Sequence, residues 1–229
     1  MHVRTTALIV ALGLAVALAA GTAAAEPSMW GFTGLLDAPT AEALGDGEYN
    51  VGIASGELEE WEDFSYYANF GLGQDTEVGV LMWRPRHGGD MQTEGIRPDR
   101  DETYLHIKRS FAPVNGGPAL AAGIFDITDE VETTVYVAAN WAQGNVVGQI
   151  EEENVHFLNL HAGFAAGQFE GVFAGVELAF GARFEVLAEL VNDDFNVGAR
   201  LRPFPWLNVD AGLMDVEDLA VNVSYSQDF

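Results

Sequence analysis

The chain has 229 residues, no cysteine, and 35 acidic against 10 basic residues, which gives a formal net charge of −25. Nucleic-acid binding needs a basic surface, so this charge argues against it. No disulfide holds the fold, although exported domains often use them. The 26 glycines, 14 phenylalanines, 6 tyrosines and 5 tryptophans suit strands, tight turns and interfacial aromatic belts. The acidity fits adaptation to salt or solubility as well as it fits cation binding.

Residues 1–25 have the pattern of a secretory signal peptide. A basic start precedes an apolar run from Ala7 to Ala20, and three alanines form a small-residue cleavage site that ends at Ala25. The run is too short for a membrane-spanning helix, and no later segment approaches about 18 uninterrupted apolar residues. The sequence therefore predicts an exported chain, cleaved near Ala25, that is either a soluble periplasmic protein or a barrel of the outer membrane.

The segment 26–46 does not alternate between apolar and polar residues. Gly31 and Gly34 flank a short extended piece that Pro39 ends, and residues 40–44 are predicted to form one helical turn capped by Thr40. The preferred interpretation is a periplasmic lead-in to the first strand. The alternative is a periplasmic latch or a short plug folded against the barrel mouth.

From residue 47 onward apolar residues recur at every second position, which is the period of β-strands. Seven strands are predicted before residue 170. Their apolar positions are Tyr49, Val51 and Ile53; Phe64, Tyr66, Ala68 and Phe70; Val78, Val80 and Met82; Leu105 and Ile107; Leu120, Ala122 and Ile124; Val135, Val137, Ala139 and Trp141; and Leu158, Leu160, Ala162 and Phe164.

The stretch from Gly171 to Phe229 alternates most cleanly and contains five more strands joined by short turns. Consecutive strands of this kind form an antiparallel meander. A soluble antiparallel sandwich would alternate in the same way. The chain end favours a membrane barrel, because Val221, Val223, Tyr225 and Phe229 look like the C-terminal assembly signal of bacterial outer-membrane barrels.

The total of about twelve strands is even, as single-chain bacterial barrels require. The sequence thus predicts an all-β fold, an antiparallel up-and-down transmembrane β-barrel over residues 47–229. If both termini are periplasmic, the outer connections are 55–63, 84–102, 126–132, 165–170, 192–194 and 215–218. The inner turns are then 73–74, 112–117, 142–153, 181 and 203–206.

Most acidic loop clusters fall in the outer connections. Carboxylates suit Ca²⁺ or Mg²⁺, which would bridge the loops to phosphorylated lipopolysaccharide. The spacing matches no calcium-loop motif, so solvated loops without a metal are the preferred interpretation.

Polar residues opposite the lipid-facing positions are predicted to line the lumen. The candidates are Asn159, His161, Glu177, Arg183, Glu185, Glu189, Asn196, Arg200, Arg202 and Asp210. A two-residue turn at Asn192-Asp193 places Glu185 opposite Arg200, whereas a four-residue turn places it opposite Arg202. Either pair is expected to narrow the pore and fix the register rather than to bind substrate.

The sequence contains no Gly-x-Ser-x-Gly elbow, no His-x-Ser pair and no helical metal-ligand spacing. His161 beside Asn159 is the nearest approach to a catalytic pair, and a hydrogen-bonding role in the lumen is preferred. We therefore expect a non-enzymatic protein that needs no metal or cofactor.

Three segments resemble the YjbH-like outer-membrane proteins, which are associated with exopolysaccharide and capsule production. They are residues 31–42 followed by Asp46-Gly47, residues 119–127, and the strand order of 171–225 with its Asp194-Phe195-Asn196-Val197-Gly198 turn. The first segment contains Gly31, Gly34, Leu35, Pro39, Thr40 and Ala41. Classical members are much longer, so this chain looks like a single barrel module.

The resemblance implies a non-enzymatic barrel accessory to exopolysaccharide secretion or surface assembly. Its expected partners are outer-membrane lipid, the barrel-assembly machinery and polysaccharide export components. A small general outer-membrane channel and a soluble periplasmic sandwich or lectin-like module are the alternatives.

Overall fold

The computed structural model describes residues 25–55, 64–84, 102–143, 156–167, 170–181 and 183–228. Twelve antiparallel strands pair with their sequence neighbours, and β1 pairs with β12, so the sheet closes into a barrel. The predicted all-β barrel and its strand number are confirmed, and the soluble sandwich is wrong. Residues 1–24 of the proposed signal peptide, the connections 56–63, 85–101 and 144–155, and Phe229 lie outside the described residues.

The strands are short and similar in length. They are β1 (Glu48–Ser55), β2 (Phe64–Leu72), β3 (Thr76–Arg84), β4 (Glu102–Phe111), β5 (Ala119–Phe125), β6 (Thr134–Gln143), β7 (His156–Ala166), β8 (Gly171–Phe180), β9 (Phe184–Val191), β10 (Asp194–Phe204), β11 (Leu207–Met214) and β12 (Asp218–Asp228).

The two ends of the barrel differ. We call one the terminal rim, because it holds the start of β1, the end of β12 and the turns 73–75, 112–118 and 205–206. The opposite loop rim holds the connections 126–133, 192–193 and 215–217. Antiparallel pairing forces this alternation, so the sorting of connections to two sides follows the prediction wherever they are described.

The outer face of the barrel is apolar all the way round. Each of the twelve strands presents at least one exposed large hydrophobic residue, for example Val51, Phe70, Met82, Ile107, Leu120, Val137, Phe164, Val172, Leu190, Leu201, Leu213 and Leu219. Because successive side chains in a strand point to opposite faces, the polar residues between them are directed into the lumen.

The β9–β10 hairpin has the register of a two-residue turn. Glu185 lies directly opposite Arg200, and Phe184 lies opposite Leu201 on the outer face. The prediction that Glu185 faces Arg200 is confirmed, and the four-residue alternative is wrong.

Residues 26–46 fold back on themselves inside the barrel, and we call this segment the plug. Its backbone closes on itself through Met29 N to Leu36 O at 2.8 Å, Gly34 N to Glu26 O at 2.9 Å and Leu35 N to Ala38 O at 2.9 Å. Phe32, Leu35 and Leu36 are at most 2% exposed. Of the two interpretations of this segment, the plug fits these contacts and the simple lead-in does not.

The helical turn predicted at residues 40–44 does not form. The backbone there is irregular, with a bend at Ala41, because the barrel wall binds its polar groups. Ser110 Oγ donates to Ala41 O at 2.6 Å, and Leu44 N donates to Glu77 Oε2 at 3.1 Å. Within the described residues, no helix has the length and apolar character that crossing a membrane requires.

Candidate functional site

The candidate site is the lumen with the plug inside it. Nine of the ten predicted lumen residues point inward and are at most 9% exposed: Asn159, His161, Glu177, Glu185, Glu189, Asn196, Arg200, Arg202 and Asp210. Arg183 differs. It lies in the turn before β9, half-buried at the terminal rim, where its Nη1 donates to Pro203 O at 3.3 Å.

Two arginines on β10 organise one side of the lumen. Arg200 Nε lies 2.9 Å from Asp210 Oδ1, and its Nη1 lies 3.6 Å from Glu185 Oε2. Arg202 donates to Glu185 and lies 2.7 Å from Glu26 Oε1 of the plug. Buried charges are tolerated only when they are paired and hydrogen-bonded, and this network pairs them across three strands and the plug.

The same guanidinium binds the main chain of the plug. Arg200 Nη2 lies within hydrogen-bond distance of Pro27 O, Gly34 O and Leu35 O, at 3.4, 3.2 and 3.3 Å. Asn222 Nδ2 donates to Pro27 O at 3.3 Å. The role expected for Arg200, narrowing the pore and fixing the register, therefore also includes holding the plug.

On the opposite side, Glu77 and Lys108 form a second set of contacts with the plug. Glu77 accepts hydrogen bonds from Thr33 N at 3.0 Å, from the Thr33 hydroxyl and from Leu44 N. Lys108 Nζ donates to Thr33 O at 2.5 Å and to Thr40 O at 3.3 Å. Both side chains are fully buried, so the plug supplies hydrogen bonds to polar groups that are shielded from water inside the barrel.

Glu189 on β9 holds the tip of the plug. Its Oε1 accepts from Asp37 N at 2.7 Å and its Oε2 from Ala38 N at 3.1 Å. Asn196 Nδ2 donates to the same carboxylate at 3.0 Å. A carboxylate that accepts several N–H groups forms the stronger, charge-assisted class of hydrogen bond.

Apolar contacts complete the fit. Phe32 packs edge-on against Phe125, with ring centroids 5.6 Å apart. Leu36 lies against Gly198 and Gly212, where a Cβ would come within 2.9 Å of its Cδ1. The void left beside the tip is about 10 Å³, which is at the lower limit for one water molecule. The plug therefore fills the lumen around its tip.

Asp37 sits at the plug tip, where the Trp30 indole donates to its carboxylate. Burial, followed by the nearby negative charge of Glu189 and a smaller effect of Asp194, raises the pKa of Asp37 to about 7 from 3.8. The hydrogen bond from Trp30 acts in the opposite direction but is weaker than burial.

This raised pKa predicts that docking of the plug weakens with pH. The contribution of Asp37 is fully present below its ordinary pKa of 3.8 and is lost as the pH rises to about 7. Cleavage within residues 26–46 by an added protease should become faster over that interval, because an undocked plug is accessible. Asp37→Asn should flatten the profile, and an unchanged profile in this variant would contradict the assignment.

A further cluster of polar side chains lies on the inner faces of β6, β7 and β8. Asn159 Nδ2 donates to Glu177 Oε1 at 2.9 Å, and His161 Nε2 lies 3.8 Å from Glu177 Oε2. Asn140 donates to Glu42 of the plug. Neither ring nitrogen of His161 has a hydrogen-bond partner among the described residues.

The absence of catalytic activity stays a prediction.

Glu77, Lys108 and Asn222 were not among the candidates that the sequence suggested. The signal for Lys108 is present, because Tyr104, His106 and Lys108 alternate with Leu105 and Ile107 in β4. No three His, Asp or Glu side chains within the described ranges converge as a metal site. Of the proposed cation-binding loops, 56–63 and 85–101 lie outside those ranges.

No protein-family model and no curated protein matches the sequence. Similar solved structures include a KdgM porin, at 6% identity and a TM-score of 0.48, over 80% of this chain and 99% of that chain. OprB of Pseudomonas putida, in a low-pH structure, matches at 15% identity and 0.26, over 80% and 91%. Ail, the attachment invasion locus protein of Yersinia pestis, solved with the heparin analogue sucrose octasulfate, matches at 12% and 0.16, over 80% and 99%. At these identities and TM-scores, the functions of those proteins do not transfer to this chain.

Proposed function

We propose that the protein is a non-enzymatic β-barrel of the bacterial outer membrane whose lumen is a channel closed by its own N-terminal plug. The observation that carries this proposal is that polar and apolar side chains are distributed in the reverse of the way they are in a soluble protein. Large hydrophobic side chains are exposed on every strand, while Glu, Arg, Lys and Asn are buried inside. A soluble protein would aggregate with such a surface, whereas a bilayer requires it. The signal-peptide pattern of residues 1–25 supports export.

The rims support the same orientation in a bilayer. At the terminal rim Phe204 stacks on Trp206 with ring centroids 5.0 Å apart, and Trp206 lies tilted against Tyr225 at 5.8 Å. Tyr49 lies against Tyr225 at 6.2 Å. Aromatic side chains gather at membrane interfaces because they combine an apolar ring with a polar edge. The terminal rim therefore has the chemistry of a bilayer surface.

A channel explains why the lumen is polar and why the plug is bound through hydrogen bonds. A barrel that served only as a membrane anchor would gain nothing from burying Lys108 and Arg200. Instead, many polar side chains of the wall bind the plug backbone, as Glu77, Glu189 and Arg200 do. These groups become available to water and solutes when the plug leaves.

Two measurements test the proposal. The protein should fractionate with the outer membrane, require detergent for extraction and change gel mobility on heating, as closed barrels do. Purified protein should then give rare, discrete conductance steps in planar bilayers, and deleting residues 26–46 should make them frequent. Extraction from the periplasm without detergent would exclude a membrane location. A deletion variant that inserts correctly but conducts no current would exclude the channel.

An accessory role in exopolysaccharide secretion is a second candidate, supported by the resemblance of residues 31–42 to YjbH-like proteins. These residues form most of the plug, so the resemblance falls on the element that closes the lumen. The expected result is loss of surface exopolysaccharide in a strain that lacks the protein. Restoration by a variant with the plug deleted would separate the glycan role from gating.

A further inference from the structure

The plug and the wall that surrounds it carry excess negative charge. The segment 26–46 contains Glu26, Asp37, Glu42 and Asp46 and no basic residue. An acidic segment occupies an acidic lumen because the wall binds its backbone, with carboxylates accepting from N–H groups and cations donating to carbonyls. The plug therefore brings no positive charge that could balance the carboxylates of the wall.

Most buried charges on the wall compensate one another. Arg200 and Arg202 are paired with Glu185 and Asp210. Lys108 and Glu77 both contact Thr33, so they lie close together. Glu177 and Glu189 have no ion pair to lysine or arginine within the described ranges and are in excess.

The two excess carboxylates, Glu177 and Glu189, form a continuous line with Glu185, which the arginines of β10 neutralise. Gly175 on β8 lies opposite Glu189, and Ala179 lies opposite Glu185. Glu177 is thus a diagonal neighbour of both, at roughly 7–8 Å by sheet geometry. We call Glu189, Glu177 and Glu185 the acidic line. It runs from near the loop rim toward the terminal rim on the β8–β9 wall.

The strand beside the acidic line adds an acceptor without a partner. His161 on β7 is 3% exposed, lies 3.8 Å from Glu177 and has neither ring nitrogen hydrogen-bonded. Asn140, its direct neighbour on β6, has an unpaired Oδ1. A neutral imidazole nitrogen and an amide oxygen accept hydrogen bonds from the water shell of a cation. The described inner faces of β6, β7 and β8 carry no lysine or arginine.

We propose that the lumen, once the plug has left, conducts small cations in preference to anions, with the acidic line as the cation path. This inference rests on the proposed channel. Rings or rows of carboxylates select cations in a narrow pore, because low-dielectric walls concentrate the field and raise the local concentration of counter-ions. The same field disfavours acidic glycans, so the lumen suits neutral or cationic solutes.

The test is the reversal potential of the variant lacking residues 26–46, in bilayers with a KCl gradient. The permeability ratio of K⁺ to Cl⁻ should be about tenfold. Glu177→Gln with Glu189→Gln should bring it close to one. Glu217→Gln with Asp218→Asn is the matched control, because it removes two negative charges from exposed positions at the loop rim and should leave the ratio unchanged.

If the deletion variant does not fold, the reversal potential is measured on the full-length protein in the same bilayer with moderate urea. Urea should release the plug first, because a short segment with few contacts unfolds before a closed barrel does. Currents without ion preference, or with a preference for Cl⁻, would overturn the inference and leave the channel intact. An inserted barrel that stays silent under both conditions would overturn the channel itself. Equal effects of the loop-rim control and the variant of Glu177 and Glu189 would show that selectivity is not set in the lumen.

Discussion

Replacing Val223 and Tyr225 together with aspartate is expected to abolish accumulation of the protein in the outer membrane. Both side chains lie on the outer face of β12, where Val223 pairs with Ile53 and Tyr225 with Val51 to close the barrel. A basic residue on the lipid-facing surface at the bilayer centre costs about 2–4 kcal/mol, and an acidic one somewhat less. Val223 lies at the middle of β12 and bears most of this cost, whereas a charge at Tyr225, near the terminal rim, costs only about 0–1 kcal/mol. The sum is still a sizeable part of a domain's net stability of about 5–15 kcal/mol.

The measurement is the amount of protein in the outer-membrane fraction and its heat-modifiable mobility on a gel. Val223→Ile with Tyr225→Phe is the matched control, because it changes the same positions and keeps them apolar. The control should assemble at the level of the wild type. Normal levels of the aspartate variant would contradict a lipid-facing β12.

Gly175→Val is expected to open the lumen without disturbing the barrel. Gly175 faces inward on β8, and a Cβ at this position would lie 2.2 Å from Leu35 Cδ1 of the plug. Leu35 is fully buried, so valine takes the space that its side chain needs. Overpacking of this kind costs about 1–3 kcal/mol. That energy corresponds to a shift of about 5- to 150-fold in the ratio of docked to undocked plug.

The measurement is the open probability of single channels. Leu35→Ala in the valine background restores the missing volume, so the double variant should be closed more often than the single one. Heat-modifiable mobility should be the same in all three proteins. A valine variant as closed as the wild type would contradict docking of Leu35 against β8, and an unrescued double variant would mean that the barrel itself had changed.

The barrel was predictable because its signal is periodic. A face buried in lipid and a face lining a polar lumen impose a period of two on every strand, as in Glu102–Phe111, and that period is visible without structure. The Glu185–Arg200 pair was predictable because a two-residue turn leaves one register that keeps the apolar residues on one face.

The plug was not predictable in the same way. Its residues have no period, and the wall binds their N–H and C=O groups, which every residue carries. Thr40 illustrates this limit. It resembles a helix cap in sequence, yet its carbonyl accepts from Lys108 across the lumen. The partners of Arg200 were only partly predicted. Its strand, β10, lies between β9 and β11, and Asp210 on β11 comes closer to the guanidinium than Glu185 on β9 does.

The pairing of β1 with β12 makes the two ends of the chain depend on each other. Asn222 near the chain end donates to Pro27 across 195 positions of sequence, and β12 pairs directly with β1. The chain loses conformational entropy when such distant segments come together, before their contacts can compensate for it, and this slows folding. Enclosure of the plug by its own chain therefore depends on the last strand. A chain truncated before β12 has neither a closed wall nor the Asn222 contact that holds Pro27.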